Sequence, residues 1–446
     1  MSIPQNSCNA WIFLAEDDPA GSNYHTPGSS YQNLIDYEVY KQVDMLFICF
    51  VDTVATSDST VPTQQQAGNG FTIELGPKTH PGNISNQEYM SLVIQDAKRI
   101  NPNIKILVTL GYAKDEFSQI FGPDQSQWQA EATAYAKNVV TYLEYYNLDG
   151  FDIDWEGQFS YATTLQQNTY LLNALRSEMD AVNKDLLLTM CPQYLGNLNG
   201  DIVNPNVDLI SLQLYGGASA SAWTSVGVKQ ELLAYGAKFE VDGNQPYQTA
   251  QDAYNGFVSG NYAGVTQWRL NSNDFNYEQA QQIILYDLIN GLGTEFDDSN
   301  AIGAAGNPPI SSMKIRSGEV LNAIQATNHS SFQGNDNIYY ELLQHGGDSG
   351  SESSITVPSN DPITEVSGYM GEWFGWDVVL QITIKTASGQ TLGTFGTMGN
   401  AGTKRPFSFT APSGQSIVAF KGSLVNVPLA DGSRTDVIQS LNVTYG

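Results

Sequence analysis

Over the first two-thirds of the chain, short apolar runs rich in β-branched residues alternate with longer segments whose apolar positions recur at the helical period. The runs are NAWIFLA (9–15), DMLFICFV (44–51), IKILVTLG (104–111), LDGFDIDWE (148–156), DLLLTMCP (185–192), VDLISLQLY (207–215), AKFEVD (237–242) and AGVTQWRL (263–270). Strand and helix taking turns in this way predict repeated βα units around a parallel sheet, and eight strands is the number that closes a (β/α)8 TIM barrel. One intervening helix opens at Ser85, where Ser85 and Glu88 fit a capping box, and stops at Asn101 and Pro102. Another, NYEQAQQIILYDLIN (276–290), ends the series.

After Gly291 the texture changes to GLGTEFDDSNAIGAAGNPP, a Gly-, Asp-, Asn- and Pro-rich stretch without periodicity that marks a domain boundary. Beyond it, short alternating runs (SSMKIRS, SSITV, VVLQITIKT, PFSFTA, SIVAFKG, LNVTY) recur with turn signals between them, the pattern of an all-β sandwich or prism of hairpins. The expected domains are therefore 1–296, an α/β barrel, and 300–446, all β.

The row LDGFDIDWE changes the picture from fold to chemistry. As a strand it sets Asp152, Asp154 and Glu156 on one face and Phe151, Ile153 and Trp155 on the other. In a barrel the apolar face packs on the helices and the acids point inward, with Glu156 reaching the C-terminal mouth. Like charges so spaced cannot all ionise cheaply, so at least one carboxyl keeps its proton, and a neutral Glu is what protonating a glycosidic oxygen requires. The other reading of these residues is an amphipathic antiparallel strand with its acids in water. A strand between two helical segments is buried on both faces, where an unpaired row of acids is costly, and that favours the site.

Composition narrows the classes further. With 46 acids against 19 bases the formal charge is −27, which repels a phosphate backbone and excludes nucleic acid as a partner. The 24 Tyr and 7 Trp are rings suited to stacking on sugars. No apolar run approaches the roughly 18 residues of a membrane span. The start, MSIPQNSCNAWIFLAEDD, has no basic region and too short an apolar stretch for a signal peptide, so the expected location is cytoplasmic, or outside the cell by a non-standard route. Cys8, Cys49 and Cys191 have no metal-ligand spacing and are odd in number, so they read as small buried side chains, and neither a metal nor a cofactor is implied.

DGFDIDWE resembles the DGxDxDxE signature of family-18 glycoside hydrolases, with its acids at Asp149, Asp152, Asp154 and Glu156. KILVTLGY (105–112) resembles the third-strand SxGG segment of that family, QLY (213–215) its sixth-strand segment, and GVTQW (264–268) its eighth, in the same order and spacing over about 300 residues. CPQYLGNLN (191–199) before QLYGG is similar to the compact plant-type branch. The resemblance implies a chitinase-type retaining enzyme with substrate-assisted catalysis. Glu156 would be the general acid, Asp154 would hold the substrate acetamide N–H, Asp152 would adjust the charge on Asp154, and Tyr215 would donate to the acetamide carbonyl. Gln213, Trp268, Asp149, Tyr112 and Gln193 would bind substrate, Trp268 as the floor of a sugar subsite. Thr109, Tyr112 and Gly216 depart from the family pattern at positions that alter subsite contacts more than chemistry. Only 52 residues separate Tyr215 from Trp268, too few for a cleft-deepening insertion, so an open groove and endo-type cleavage are expected.

The stretches MKIRSGEVLNAIQATN, LLQHGGDSG, PITEVSGYMGE, TLGTFGT and IVAFKGS resemble jacalin-related lectins, which implies a β-prism. In that family a Gly-rich loop and a G-x-x-x-D loop hold a sugar, the glycines by allowing close approach and the Asp as a strong acceptor. Gly432 to Asp436, with Thr435 between them, fits G-x-x-x-D, and its partner loop is expected near Gly303 to Gly306. A second candidate sets His345, Gly346 and Gly347 against Gly318 to Asn322, with Asn322 where an acid would stand. The function implied is a glycosidase acting on β-1,4-linked N-acetylglucosamine with an appended carbohydrate-binding module. The alternatives are an endo-β-N-acetylglucosaminidase acting on N-glycans, a silent glycan-binding or toxin-like protein, and a barrel that serves assembly.

Overall fold

The computed structural model describes residues 6–14, 24–64, 70–111, 115–182, 185–242, 245–291, 294–332, 335–398, 404–429 and 433–446. The chain forms two compact units, Met1–Glu240 with Tyr247–Glu278, and Val241–Pro246 with Gln279–Gly446. Among the described residues no helix is long and apolar enough to cross a membrane.

The first unit is a closed barrel of eight parallel strands: β1 (Ser7–Phe13), β2 (Met45–Ala55), β3 (Lys105–Leu110), β4 (Gly150–Trp155), β5 (Leu187–Pro192), β6 (Leu209–Leu212), β7 (Leu233–Lys238) and β8 (Gly264–Trp268). Each pairs with the next, and closure comes from β8 on β1, with Ser7 beside Gly264 and Ala10 beside Gln267. The outer half of the long β2 carries an antiparallel strand, Phe71–Leu75, which the apolar runs did not single out.

The seventh strand lies earlier than its β-branched content suggests. Leu233, Ala234 and Ala237 face close neighbours and are fully buried, whereas Val241–Asp242 leaves the sheet and turns back on Gln245–Pro246. Small residues suit the tight approach to β6, and strand propensity gives them little weight.

The helix Asn86–Ile100 starts at Ser85 in a reciprocal capping box with Glu88 and ends at Asn101, where the sequence places both limits. The helix Trp128–Tyr146, which precedes β4 in the chain, packs against it, and Phe151, Ile153 and Trp155 are buried, Trp155 beside Phe117 and Phe159. Burial of each of these side chains contributes roughly 1.5–3 kcal/mol, which offsets the cost of the acids on the other face.

Inside the barrel the layers follow the register. Leu107 stands level with Phe47, and both pack with Trp11, Met45, Leu187, Leu209 and Ala234 in one apolar cluster. One step up, Asp152 stands level with Thr109 on β3 and Thr189 on β5, a polar belt in which Ser211 and Thr266 also bond at 2.7 Å. Cys8, Cys49 and Cys191 are all buried.

The second unit is all β apart from helical segments near its start. Ile310–Ser317, Leu321–Phe332, Asn335–Glu341 and Ser351–Thr356 form one antiparallel sheet, with His345–Gly346 added to Leu321–Phe332. Ile363–Trp373, Trp376–Thr386, Thr391–Gly396 and Lys404–Thr410 form the second. Glu295–Asp297, Ile417–Pro428 and Arg434–Tyr445 form the third. Alternate residues of these strands point inward, so Val378 and Leu380 of the second sheet meet Val425, Val427 and Val437 of the third, with Val320 closing the core. Three sheets around one core make the β-prism.

Candidate active site

The strand β4 carries its acids at increasing height, and the structure brings Asp152, Asp154, Glu156, Gln213 and Tyr215 together at the top of the barrel. Asp152 and Asp154 are almost fully buried, and Glu156, one residue past the strand end, is half-buried. Thr189 donates its hydroxyl to Asp152 Oδ1 at 2.5 Å. Gln213, just beyond the end of β6, donates from Nε2 to Asp154 Oδ1 at 2.9 Å, to Glu156 Oε1 at 2.5 Å and to the Cys191 carbonyl at 3.1 Å. One amide nitrogen thus ties two carboxyl groups together.

Burial pushes the Asp152 carboxyl up to about 7, against the opposing pull of the Thr189 and Thr109 hydroxyls and the Ile153 N–H. Asp154 is held well above the usual carboxylate range, first by burial, then by the charges of Glu156 and Asp152 and by the hydrogen bond it shares with Glu156; the Gln213 amide works the other way. Burial and the neighbouring carboxyl groups therefore favour the protonated form of Asp154. Burial, with Cys191, Asp154, Glu156 and Glu240 nearby, raises the Tyr215 hydroxyl well above its ordinary value, so it stays a donor. The arrangement can protonate a leaving oxygen from one carboxyl while a neighbouring group manages charge beside it.

Tyr215 is positioned by a bond from the Tyr247 hydroxyl to its carbonyl at 2.9 Å. Gln193, at the end of β5, donates to the Gly216 carbonyl at 2.9 Å and so braces the turn that carries Tyr215. Trp268 ends β8 half-buried, its ring packed on Trp11 at 5.4 Å and Phe50 at 6.3 Å, with Phe13 and the Arg269 guanidinium alongside. Arg269 is in turn held by Glu240 at 3.0 Å. The sequence reading passed over this aromatic wall, and Thr189 too. Thr189 could have been found by asking which residue of β5 is level with Asp152.

Asp149 belongs elsewhere. It sits at the opposite end of β4, where it pairs with Lys98 at 2.7 Å and Lys105 at 3.4 Å and accepts from the Ile106 N–H at 3.0 Å. Six residues of extended chain separate it from Glu156, roughly 20 Å, so the expected substrate contact is replaced by a role in tying a helix to the barrel floor. Tyr112 lies outside the described residues.

In the second unit Asp436 lies within Arg434–Tyr445 and faces Asn426 across the strand pair, accepting its amide at 2.7 Å, while Arg434 bonds the Asn426 side chain and carbonyl. Gly347 donates its N–H to the Asp436 carbonyl at 3.0 Å. A Cβ on Gly347 would lie 2.6 Å from the Thr435 hydroxyl, so only glycine fits. Gly346 pairs with Ala323 on the other side. The glycine pair beside Asp436 is thus Gly346–Gly347, in place of the expected Gly303 to Gly306. Gly303 is in the helix Ser299–Ala304, and Asn307 just after it packs on Gly446, near the Ile417 end of a strand whose Asn426 end holds Asp436. His345 is buried, stacked on Phe296 at 4.1 Å and bonded to Asp298 at 2.8 Å, which anchors the glycines. Asn322 is buried as well, and Gly318 stands near its side chain. Gly432 lies outside the described residues.

Against known proteins, the family model for glycosyl hydrolases family 18 matches residues 23–398. Chitinase A1 of Niallia circulans is 27% identical over 201 residues, 41% of this chain and 26% of that protein, so the chain spans about a quarter of that relative's length. Horcolin of Hordeum vulgare is 32% identical over 112 residues, 25% of this chain and 70% of that lectin. Among solved structures, the class V chitinase from Nicotiana tobaccum is 15% identical, covers 65% of this chain and 99% of its own, and superposes with a TM-score of 0.45. The artocarpin–mannopentose complex is 18% identical, covers 35% of this chain and 91% of its own, with a TM-score of 0.25. The barrel with its inward row of acids and the prism that follows it now have a common explanation: the chain belongs to the glycosyl hydrolases of family 18, as a chitinase-like glycoside hydrolase joined to a jacalin-like lectin domain.

Proposed function

We propose that the barrel hydrolyses β-1,4-linked N-acetylglucosamine with retention of configuration, by substrate-assisted catalysis. The observation that carries this reading is the Gln213 bridge between Asp154 and Glu156, because it holds the two carboxyl groups side by side where a glycosidic oxygen and an acetamide would meet. Glu156 gives its proton to the leaving oxygen as the substrate's acetamide oxygen attacks C1, which breaks the C1–O bond and forms an oxazolinium ring. Asp154 accepts from the acetamide N–H and offsets the positive charge, and Tyr215 orients the acetamide. Glu156, now a carboxylate, takes a proton from water as the water oxygen attacks C1 and opens the ring. The sugar is released as the β-anomer and the site is restored, in the exception to two-carboxylate hydrolysis.

The segment from Tyr215 to Trp268 is occupied by the helices Ala220–Ser225 and Ala250–Gly260, strand β7 and their connections, which supports an open groove and attack within a chain. The prism, with Thr435, Asp436, Gly346 and Gly347 around one candidate sugar site, holds the enzyme near polymer and raises its local concentration.

The test is incubation of the protein and its Glu156→Gln variant with N-acetylglucosamine oligomers and with a high-mannose glycoprotein, reading product masses and the anomer first released. β-Anomeric oligomer products from the native protein alone support the reading. Release of the whole glycan makes the enzyme an endo-β-N-acetylglucosaminidase. Failure to cut either substrate while sugars bind overturns it in favour of a glycan-binding protein.

A further inference from the structure

Tyr161 and Tyr194 are exposed large hydrophobic side chains, at 60% and 43%. Exposed rings usually reflect loose loops, yet the backbone beneath these two is locked. Asn197 donates its N–H to the Ser160 carbonyl at 3.2 Å and its amide to the Thr163 carbonyl at 2.8 Å. Its own carbonyl accepts from Asn168 at 3.0 Å, and Trp155 donates to the Leu195 carbonyl at 3.3 Å. A Cβ on Gly196 would stand 2.1 Å from the Ser160 carbonyl oxygen, so the two segments are pressed together as closely as a glycine allows. The fold thus commits buried polar groups to keeping two aromatic faces in water.

The rings do not satisfy one another. Their centroids are 6.4 Å apart and their planes inclined by 48°, which leaves a face of each open. Between and beside them is a solvent-open cavity of about 520 Å³, lined also by Asp115, Gly157, Gln158 and Ala162. Apolar ring faces with a carboxylate and an amide at the edge suit a pyranose, whose C–H face stacks while its equatorial hydroxyls bond outward. The residues that line it adjoin the catalytic row along the chain, since Gly157 follows Glu156, and Tyr194 follows Gln193, which braces Gly216.

We infer that Tyr161 and Tyr194 form an outlying subsite that stacks a sugar unit of a chain whose scissile bond lies at Glu156. It rests on the reading of the cleft as one for N-acetylglucosamine polymers. Oligomers long enough to reach from the Trp268 floor to this rim gain a contact that short ones lack, so the subsite favours polymer over small fragments.

The experiment is calorimetric titration of the Glu156→Gln protein with the N-acetylglucosamine dimer and hexamer, repeated with Tyr161→Ala/Tyr194→Ala and with Tyr161→Phe/Tyr194→Phe in the same background. The hexamer is expected to bind more tightly than the dimer. The alanine pair lowers hexamer affinity about tenfold, and with it the hexamer-to-dimer ratio, while the phenylalanine pair keeps both. Where the alanine pair unfolds, either single alanine carries the same comparison. An unchanged ratio in a folded alanine variant overturns the subsite and leaves the catalytic reading standing. A hexamer that does not bind the Glu156→Gln protein at all removes both.

Discussion

The side-chain nitrogen of Gln213 lies 2.9 Å from Oδ1 of Asp154, and the same nitrogen reaches Glu156 and the Cys191 carbonyl. A neutral amide donor binds both carboxyl groups without bringing a charge of its own. Replacement by leucine, which has no donor, leaves buried acceptors without this partner. Gln213→Leu is expected to lower kcat roughly a hundredfold, with a smaller change in KM, in steady-state assays on oligomers.

In the mechanism we propose, Glu156 supplies the transferred proton. Glu156→Gln is expected to lose roughly 10²–10⁴ in kcat while oligomer affinity, measured by calorimetry, is retained, because the amide keeps the shape of the acid but cannot give up a proton on demand.

Asp149 offers the opposite contrast. Asp149→Asn removes the charge that Lys98 and Lys105 share at the barrel floor. It is expected to cost roughly 2 kcal/mol in urea unfolding, with kcat/KM per folded molecule unchanged. A fall in kcat/KM with no loss of stability would restore Asp149 to the substrate.

The raised Asp152 carboxyl sets a direction for pH. Its folded value of about 7 exceeds the reference of 3.8, so between those values the folded state binds the proton more firmly than the unfolded chain does. Stability from this group is greatest below about pH 4, falls as pH rises toward 7, and is flat above, a span of roughly 4 kcal/mol at most. Glu278, pushed up to about 8 by burial, acts in the same sense, so the measurement is a comparison. Asp152→Asn should lose less stability than the native protein between pH 4 and pH 8 in urea titrations. Parallel slopes would show that Asp152 titrates as an ordinary carboxyl.

In the prism, Asp436→Asn is expected to abolish retention on immobilised sugars while the unfolding midpoint and oligomer hydrolysis stay as they are. Gly347→Ala is expected to lose retention and also roughly 1–3 kcal/mol of stability, because its methyl group meets the Thr435 hydroxyl. Retention by both variants would place the sugar elsewhere.

The legible parts of the sequence were those with a short period. The row from Phe151 to Glu156 alternates so regularly that its two faces could be assigned by parity, and the capping box at Ser85 located a helix start to the residue. Asp149 was misread because a motif was followed where parity should have been. It is three residues from Asp152, an odd step that sets it apart from the inward row. The strand β7 was placed late since alanine and glycine carry little strand signal, although a barrel needs small residues where strands crowd. The companion of Asp436 could not be seen at all from the chain, because Gly347 meets it through a backbone hydrogen bond between residues nearly ninety apart.

The register of β4 has one more implication. Thr109 opposite Asp152, and Asp152 opposite Thr189, hold this strand to its neighbours by a pairing in which a slip of one position would exchange the two rows. The carboxyls would then be thrust among the helices and Phe151, Ile153 and Trp155 into the barrel. A chain that has assembled wrongly at this strand is therefore both unstable and inert, so that whatever removes unstable molecules also removes the inactive ones, and the enzyme's quality control is written into the same six residues as its chemistry.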